Sequence, residues 1–325
     1  MSLAERVRAG DIQAAARLIT LLEDNAPEAL TEIDALYLRT GKAYIIGITG
    51  APGTGKSTLT DNLINHFREQ DKSIGVVAID PTSALTGGAI LGDRIRMQRH
   101  GADDKVFIRS LATRGWSGGL ARVVLGAVHV MDAMGKDIII IETVGSGQVE
   151  LDIFRAADTT LLVLNPGSGD DIQMMKAGIL EVVDIFVVNK ADKEGADLLK
   201  ADIDSMLSMA DNRPDNWLPP VVLTEAINDK GTGELAEAIT GHQEHLVSSG
   251  GMENRRRERA RLDILENLEG VFKDFVNEIQ ESELLSQQVD DLQQGKNVPR
   301  RAAEQLIWLL SKYIDRRESR NKNGL

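Results

Sequence analysis

The chain has 325 residues, 42% hydrophobic and 27% charged, a balance that suits a folded protein with a sizeable core rather than a disordered one. Its net charge of -13 argues against nucleic acid or an anionic membrane as the main partner, because both reward clustered Lys and Arg. The absence of cysteine excludes a disulfide framework, a thiolate metal site and a catalytic thiol, and no run reaches the roughly 18 apolar residues expected of a membrane span.

Residues 1–40 read as an N-terminal helical extension, with Leu3, Val7, Ile12, Ala16 and Ile19 recurring at roughly helical spacing. The opening MSLAERVRAGD has no apolar signal-peptide core, so export is not expected. The expected compartment is the bacterial cytoplasm or, had a targeting segment been removed, the mitochondrial matrix. From Tyr44 the pattern changes to short β-branched runs: YIIGIT (44–49), IGVVAID (74–80), KVFI (105–108), DIIIIE (137–142), TTLLVLN (159–165), DIFVVN (184–189) and PVVLT (220–224). Helix-length segments separate most of them. Near-continuous apolar strands alternating with helices predict an α/β fold over 41–250, a doubly wound, mostly parallel sheet covered on both faces. After SSGG (248–251) the composition shifts, and 251–325 reads as long charged helices, with Pro299 suited to a first turn. An amphipathic arm leaving such a core either packs on its own domain or dimerises the chain, and dimerisation is the expectation here.

Within this frame, Gly50–Ser57 (GAPGTGKS) fits G-x-x-x-x-G-K-[ST] in every position and lies between an apolar strand and a helix. Backbone N–H groups of such a loop cradle phosphate oxygens, aided by the positive end of the following helix. The expected phosphate-binding positions are Gly53, Thr54, Gly55, Lys56, Ser57 and Thr58. Lys56 would reach the β- and γ-phosphates, and the Ser57 hydroxyl would ligate Mg2+.

The base is read from Asn189-Lys190-Ala191-Asp192, at the end of the run DIFVVN. A carboxylate such as Asp192 accepts from guanine N1–H and its exocyclic amine, a donor pair adenine lacks, so an adenine would leave it unpaired. Asn189 would hold the loop and the Lys190 stem would cover the ring. The nucleotide expected is therefore GTP. Asp80, Asp93 and Glu142 stand at or near strand ends and suit a hard cation; singly each reads as a surface acid, whereas together with the phosphate loop they read as a magnesium and switch set. Gly145 is placed to give a backbone N–H to the γ-phosphate, so that hydrolysis would release its loop. Ser146 occupies the place where small signalling GTPases carry a water-positioning Gln, and Gln148 follows two residues later, which predicts slow intrinsic hydrolysis. Lys176, in NPGSGDDIQMMKAGILE, reads equally as a residue folding over the nucleotide and as an exposed helical lysine.

With these residues collected, the chain resembles the MeaB/ArgK family, GTPases that act as chaperones for methylmalonyl-CoA mutase. The resemblance rests on AERVRAGDIQAAARLITLLE, GAPGTGKST, AIDPTSALTGGAILGDRIRM, FIRSLATRGWSGGLA, ETVGSGQVE, GSGDDIQMMKAGILEVVDIFVVNKAD and the C-terminal helices. It implies a P-loop GTPase domain with mobile switches and a homodimer held by the C-terminal arm. It also implies a partner, an adenosylcobalamin-dependent mutase for methylmalonyl-CoA or isobutyryl-CoA, whose cofactor delivery the GTPase gates and which it protects. By motif, Lys56, Glu142 and Gly145 carry the catalytic roles, Ser57, Asp80, Asp93 and Glu142 the magnesium roles, and Gly145, Gln148 and Lys176 the switches. Asn189, Lys190 and Asp192 read guanine, with Glu225 and Ala226 in the last base-contacting loop. The chain departs from the family in Glu225-Ala226, where SA is frequent, and in Trp116. Two other readings are a metal-insertion GTPase, disfavoured by zero Cys and only five His, and a kinase linked to a transport system.

Overall fold

The computed structural model describes residues 1–80, 97–112, 120–143, 156–167, 183–209, 216–280, 282–310 and 313–314. Three short helices open the chain. Helix α1 (Leu3–Arg8) starts at a capping box, in which the Ser2 hydroxyl accepts from the Glu5 N–H and the Glu5 carboxylate accepts from the Ser2 N–H. Asp11 caps α2 (Ile12–Glu23) through the Gln13 and Ala14 N–H groups, and Pro27 opens α3 (Pro27–Tyr37). Gly10 and Asn25 separate the three in left-handed conformations, a division that the helical spacing alone does not show.

Seven strands follow: β1 (Tyr44–Thr49), β2 (Ile74–Asp80), β3 (Val106–Ala112), β4 (Ile138–Thr143), β5 (Thr159–Leu164), β6 (Ile185–Asn189) and β7 (Val221–Thr224). They form one sheet in the order β3-β2-β4-β1-β5-β6-β7, every pair parallel. Among the described helices, α4 (Lys56–Glu69), α5 (Leu120–Ala133) and α6 (Ala196–Met209) lie between strands, and α7 (Thr232–Ser249) follows β7. The expected α/β doubly wound sheet is therefore the observed one.

Strand alternation assigns the core. On β1, Ile45 joins Leu18, Ile19, Val124, Val128 and Met131 on the face covered by α2 and α5. Tyr44, Ile46 and Ile48 join Leu59, Leu63, Leu235 and Ile239 on the opposite face, under α4 and α7. Both faces are apolar because both carry helices, which explains the unbroken run YIIGIT. Strand β3 extends beyond the expected KVFI to Ala112. It carries polar Arg109 because the Arg109 guanidinium reaches Thr20 Oγ1 (3.0 Å) and the Glu23 carboxylate, both on α2.

The amino edge of the sheet is closed by charge. Helix α8 (Gly251–Gln280) presents Arg255, Arg259 and Asp263 one turn apart. Arg255 donates to Asp184 (2.7 Å), just before β6. Arg259 donates to the Ala156 carbonyl (2.7 Å) and pairs with Asp158, just before β5. Asp263 meets His129 of α5 (3.0 Å). Asp158 also accepts from the Ile45 N–H (2.8 Å); burial pushes its carboxyl above the usual range even though the Arg259 guanidinium pulls it down. The chain divides into two compact units, Met1–Asp263 and Ile264–Leu325, and α8 begins in the first and ends in the second. The second unit also holds α9 (Glu283–Gln293) and α10 (Pro299–Ile307), and within it Phe275 packs on Tyr313 with ring centroids 5.5 Å apart.

Arg259→Ala should cost about 3–5 kcal/mol, because it leaves Asp158 buried without its cation. Arg300→Ala, in an exposed helical turn and paired with Glu304, should change stability by less than about 1 kcal/mol. Chemical denaturation midpoints of the two variants test the contrast.

Candidate nucleotide site

The carboxyl ends of β1, β4, β5, β6 and β7 converge at the point where the strand order reverses, the usual ligand crevice of an open parallel sheet. Leaving β1, the chain turns through Gly50–Gly55 into α4. Gly50 has φ +149°, and a Cβ there would overlap the Val163 carbonyl oxygen of β5. Gly55 has φ +99°, and a Cβ there would overlap Asn189 Nδ2. The loop therefore lies close against β5 and β6, and only glycine permits it. Lys56 opens α4, so the helix's positive end meets the loop. The Lys56 ammonium is buried and donates to the carbonyls of Gly50 (2.7 Å) and Ala51 (2.9 Å).

Ser57, one residue further on α4, donates its hydroxyl to Glu142 Oε1 at 2.6 Å. Glu142 is placed by register: it lies beside Ile48 of β1 and Ala78 of β2, near the end of β4, and is buried. A hydroxyl and a carboxylate converging at a helix start and a strand end form an oxygen donor pair of the kind Mg2+ takes. Asp80 is the last residue of β2. Its side chain, together with Asp93, Gly145, Gln148, Lys176 and Trp116, lies outside the described part of the chain. Thr58 follows in the first turn of α4.

On the other flank, Asn189 ends β6 and is buried. Its Nδ2 donates to the Thr54 carbonyl (2.7 Å), while its Oδ1 accepts from Thr224 Oγ1 (3.1 Å) and the Ala226 N–H (3.0 Å). Lys190, with φ +59°, sends its ammonium back to the Gly53 carbonyl (2.7 Å). Asn165, just after β5, has its amide nitrogen 3.4 Å from the Gly53 carbonyl; with the amide turned over, it would donate to the Thr54 carbonyl (3.1 Å) and accept from Lys190 Nζ (3.2 Å). Asp192 is exposed. Glu225 accepts from Lys230 Nζ (2.9 Å) and Asn228 Nδ2 (3.1 Å), and these bonds hold its carboxyl below the usual range.

Three contacts of the site carry no motif signature. Asn62 of α4 donates to the Ala226 carbonyl (2.8 Å), joining the phosphate-loop helix to the loop after β7. Asp61, beside it, meets His100 (2.9 Å), and both are buried. Asn165 is the third, and its position at the end of the run TTLLVLN, matching Asn189 at the end of DIFVVN, is the one signal that points to it.

The family described as methylmalonyl-CoA mutase-associated GTPase MeaB matches residues 15–281. A Pyrococcus abyssi protein is 52% identical over 271 residues, covering 83% of this chain and 84% of its own. The methylmalonic aciduria type A homolog, mitochondrial, of Caenorhabditis elegans is 32% identical, covering 94% of this chain and 81% of its own. GTPase ArgK of Escherichia coli is 32% identical, covering 78% and 79%. Among solved structures, the LAO/AO transport system kinase superposes with a TM-score of 0.67 at 23% identity, covering 96% of each chain, which shows the shared fold.

Gly55→Ala should abolish nucleotide binding while the protein stays folded, because the new Cβ displaces the Asn189 amide and strains a left-handed position. Titration with a fluorescent guanine nucleotide, alongside circular dichroism, checks both halves of the expectation.

Proposed function

The chain belongs to the MeaB family of methylmalonyl-CoA mutase-associated GTPases, and from that membership we propose a GTP-driven chaperone that gates adenosylcobalamin delivery to methylmalonyl-CoA mutase and protects that enzyme. Hydrolysis of GTP to GDP and phosphate is its chemistry, and a conformational state is its product. The observation that carries the nucleotide reading is Asn189, whose one amide braces both the phosphate loop and the loop after β7. An isobutyryl-CoA mutase is the alternative partner.

In this reading the N–H groups of Gly53–Thr58 hold the phosphates, and the Lys56 ammonium transfers from its own loop's carbonyls to the β- and γ-phosphate oxygens. Asp192 accepts from the two guanine donors, and the Lys190 stem covers the ring. Ser57 and Glu142, with Asp80 and Asp93, would hold Mg2+, which neutralises charge on the β- and γ-phosphates when bound. Gly145 gives its N–H to the γ-phosphate, and the loops carrying Asp80–Asp93, Glu142–Gln148 and Lys176 form the switches. Loss of the γ-phosphate removes these contacts and changes the surface offered to the mutase.

The C-terminal helices are the proposed dimer contact. Ile264, Leu268, Phe272 and Val276 recur every four residues on α8 and are all exposed within the chain, a row that a second copy would cover. No helix among the described residues is long and apolar enough to cross a membrane, and the cytoplasm or the mitochondrial matrix is the proposed location.

GTP turnover, with ATP as control, should be stimulated by purified adenosylcobalamin-dependent methylmalonyl-CoA mutase, and ATP should be ignored. Lys56→Ala should lower GTP turnover by about 100-fold or more. Unchanged turnover in the presence of the mutase, with GTP still hydrolysed, would remove the partner and leave the GTPase.

A further inference from the structure

The loop after β7 is cinched into a closed turn. Glu225 and Lys230 form an antiparallel backbone bridge, with N–H to carbonyl distances of 3.0 and 3.3 Å in the two directions. Their side chains close the same ring through the 2.9 Å ion pair, and Asn228 adds a second donor to the same Glu225 oxygen. Asp229 turns the chain through a left-handed position. At Gly231, φ is +78° and a Cβ would overlap the Leu223 carbonyl, so the loop's exit is pressed against β7. From below, Asn62 holds the Ala226 carbonyl and Asn189 holds the Ala226 N–H. The N–H groups of Asn228 and Asp229 are donated to Glu225 and Ala226. That leaves the Ile227 N–H as the amide of the 226–229 turn without an acceptor among the described residues.

We propose that Glu225 is a positioning residue of the base site: its ion pair with Lys230 fixes the turn that aims the Ile227 N–H, and its carboxylate does not touch the base. The proposal rests on the guanine reading above. A backbone N–H held at the base edge suits the exocyclic oxygen of guanine and meets only another donor in the exocyclic amine of adenine. Lys230 and Asn228 both engage Glu225 Oε2, which ties the carboxylate to its own turn; direct acceptance from the base beside Asp192 is the alternative role, and the test separates the two. Lys230 is 67% exposed, so its replacement leaves the core intact.

The test is the release rate of a fluorescent GDP analogue from the full-length protein carrying Lys230→Met, Lys230→Arg or Glu225→Gln, with a fluorescent ADP analogue as control. Both Lys230→Met and Glu225→Gln should release GDP about five-fold faster, the scale of one partly exposed ion pair. Lys230→Arg should stay near wild type, and Lys230→Met should keep its turnover at saturating GTP and its denaturation midpoint. Release unchanged in both Lys230→Met and Glu225→Gln would show that the pair positions nothing. Faster release in Glu225→Gln alone would show that Glu225 contacts the base itself; either result overturns the proposal and leaves the guanine reading standing. A wild-type protein that fails to prefer GDP over ADP would overturn the guanine reading, and this proposal with it.

Discussion

One side chain ties the site together. Asn189 is buried between the phosphate loop and the loop after β7, donating to Thr54 and accepting from Thr224 and Ala226. Its amide lies so close to Gly55 that any Cβ there would have to displace it. Lys190 and Asn165 add a second and third link from the strand ends to the phosphate loop at the Gly53 carbonyl. The phosphate loop and the loop after β7 are therefore joined by hydrogen bonds across the ends of β1, β5, β6 and β7. If these loops hold phosphate and base as proposed, preorganisation of this kind turns shape into affinity and discrimination.

The two edges of the same sheet have opposite electrostatics. At the carboxyl edge, backbone N–H groups, Lys56 and a helix start provide an anion site. At the amino edge, Asp158 and Asp184 precede β5 and β6, where they accept from the N–H groups of Ile45 and Thr160, and Arg259 and Arg255 complete them. Charges this deeply buried persist because hydrogen bonds and counter-ions surround them. They fix the start of α8 against the strands that carry Asn165 and Asn189 at their far ends.

Much of this was legible in the sequence because its signals are local. A parallel sheet with helices on both faces makes unbroken apolar runs, and the runs from Tyr44 and Asp184 match their strands to within a residue. The phosphate loop and the NKAD box are contiguous, so their residues announce themselves. What stayed hidden depends on contacts between distant positions. Nothing near Asn62 indicates a bond to Ala226, 164 residues away. The stretch RRRERAR reads as part of a long charged helix, yet Arg255 and Arg259 meet buried acids 71 and 101 residues earlier in the chain. Strand β3 was underestimated because Arg109 and Ser110 break its apolar pattern, and its partner Glu23 lies in the N-terminal helices.

The central claim is that Asp192 reads guanine from the edge that Asn189 welds to the phosphate loop. Its most direct test is nucleotide preference in Asp192→Asn, measured by competition between GDP and xanthosine diphosphate. An amide at this position donates where one carboxylate oxygen accepted, so the variant should lose affinity for GDP by about 100-fold or more and gain it for the xanthine nucleotide, whose exocyclic carbonyl oxygen at C2 replaces guanine's amine. Unchanged preference for GDP in this variant would show that the base is read elsewhere and would contradict the account.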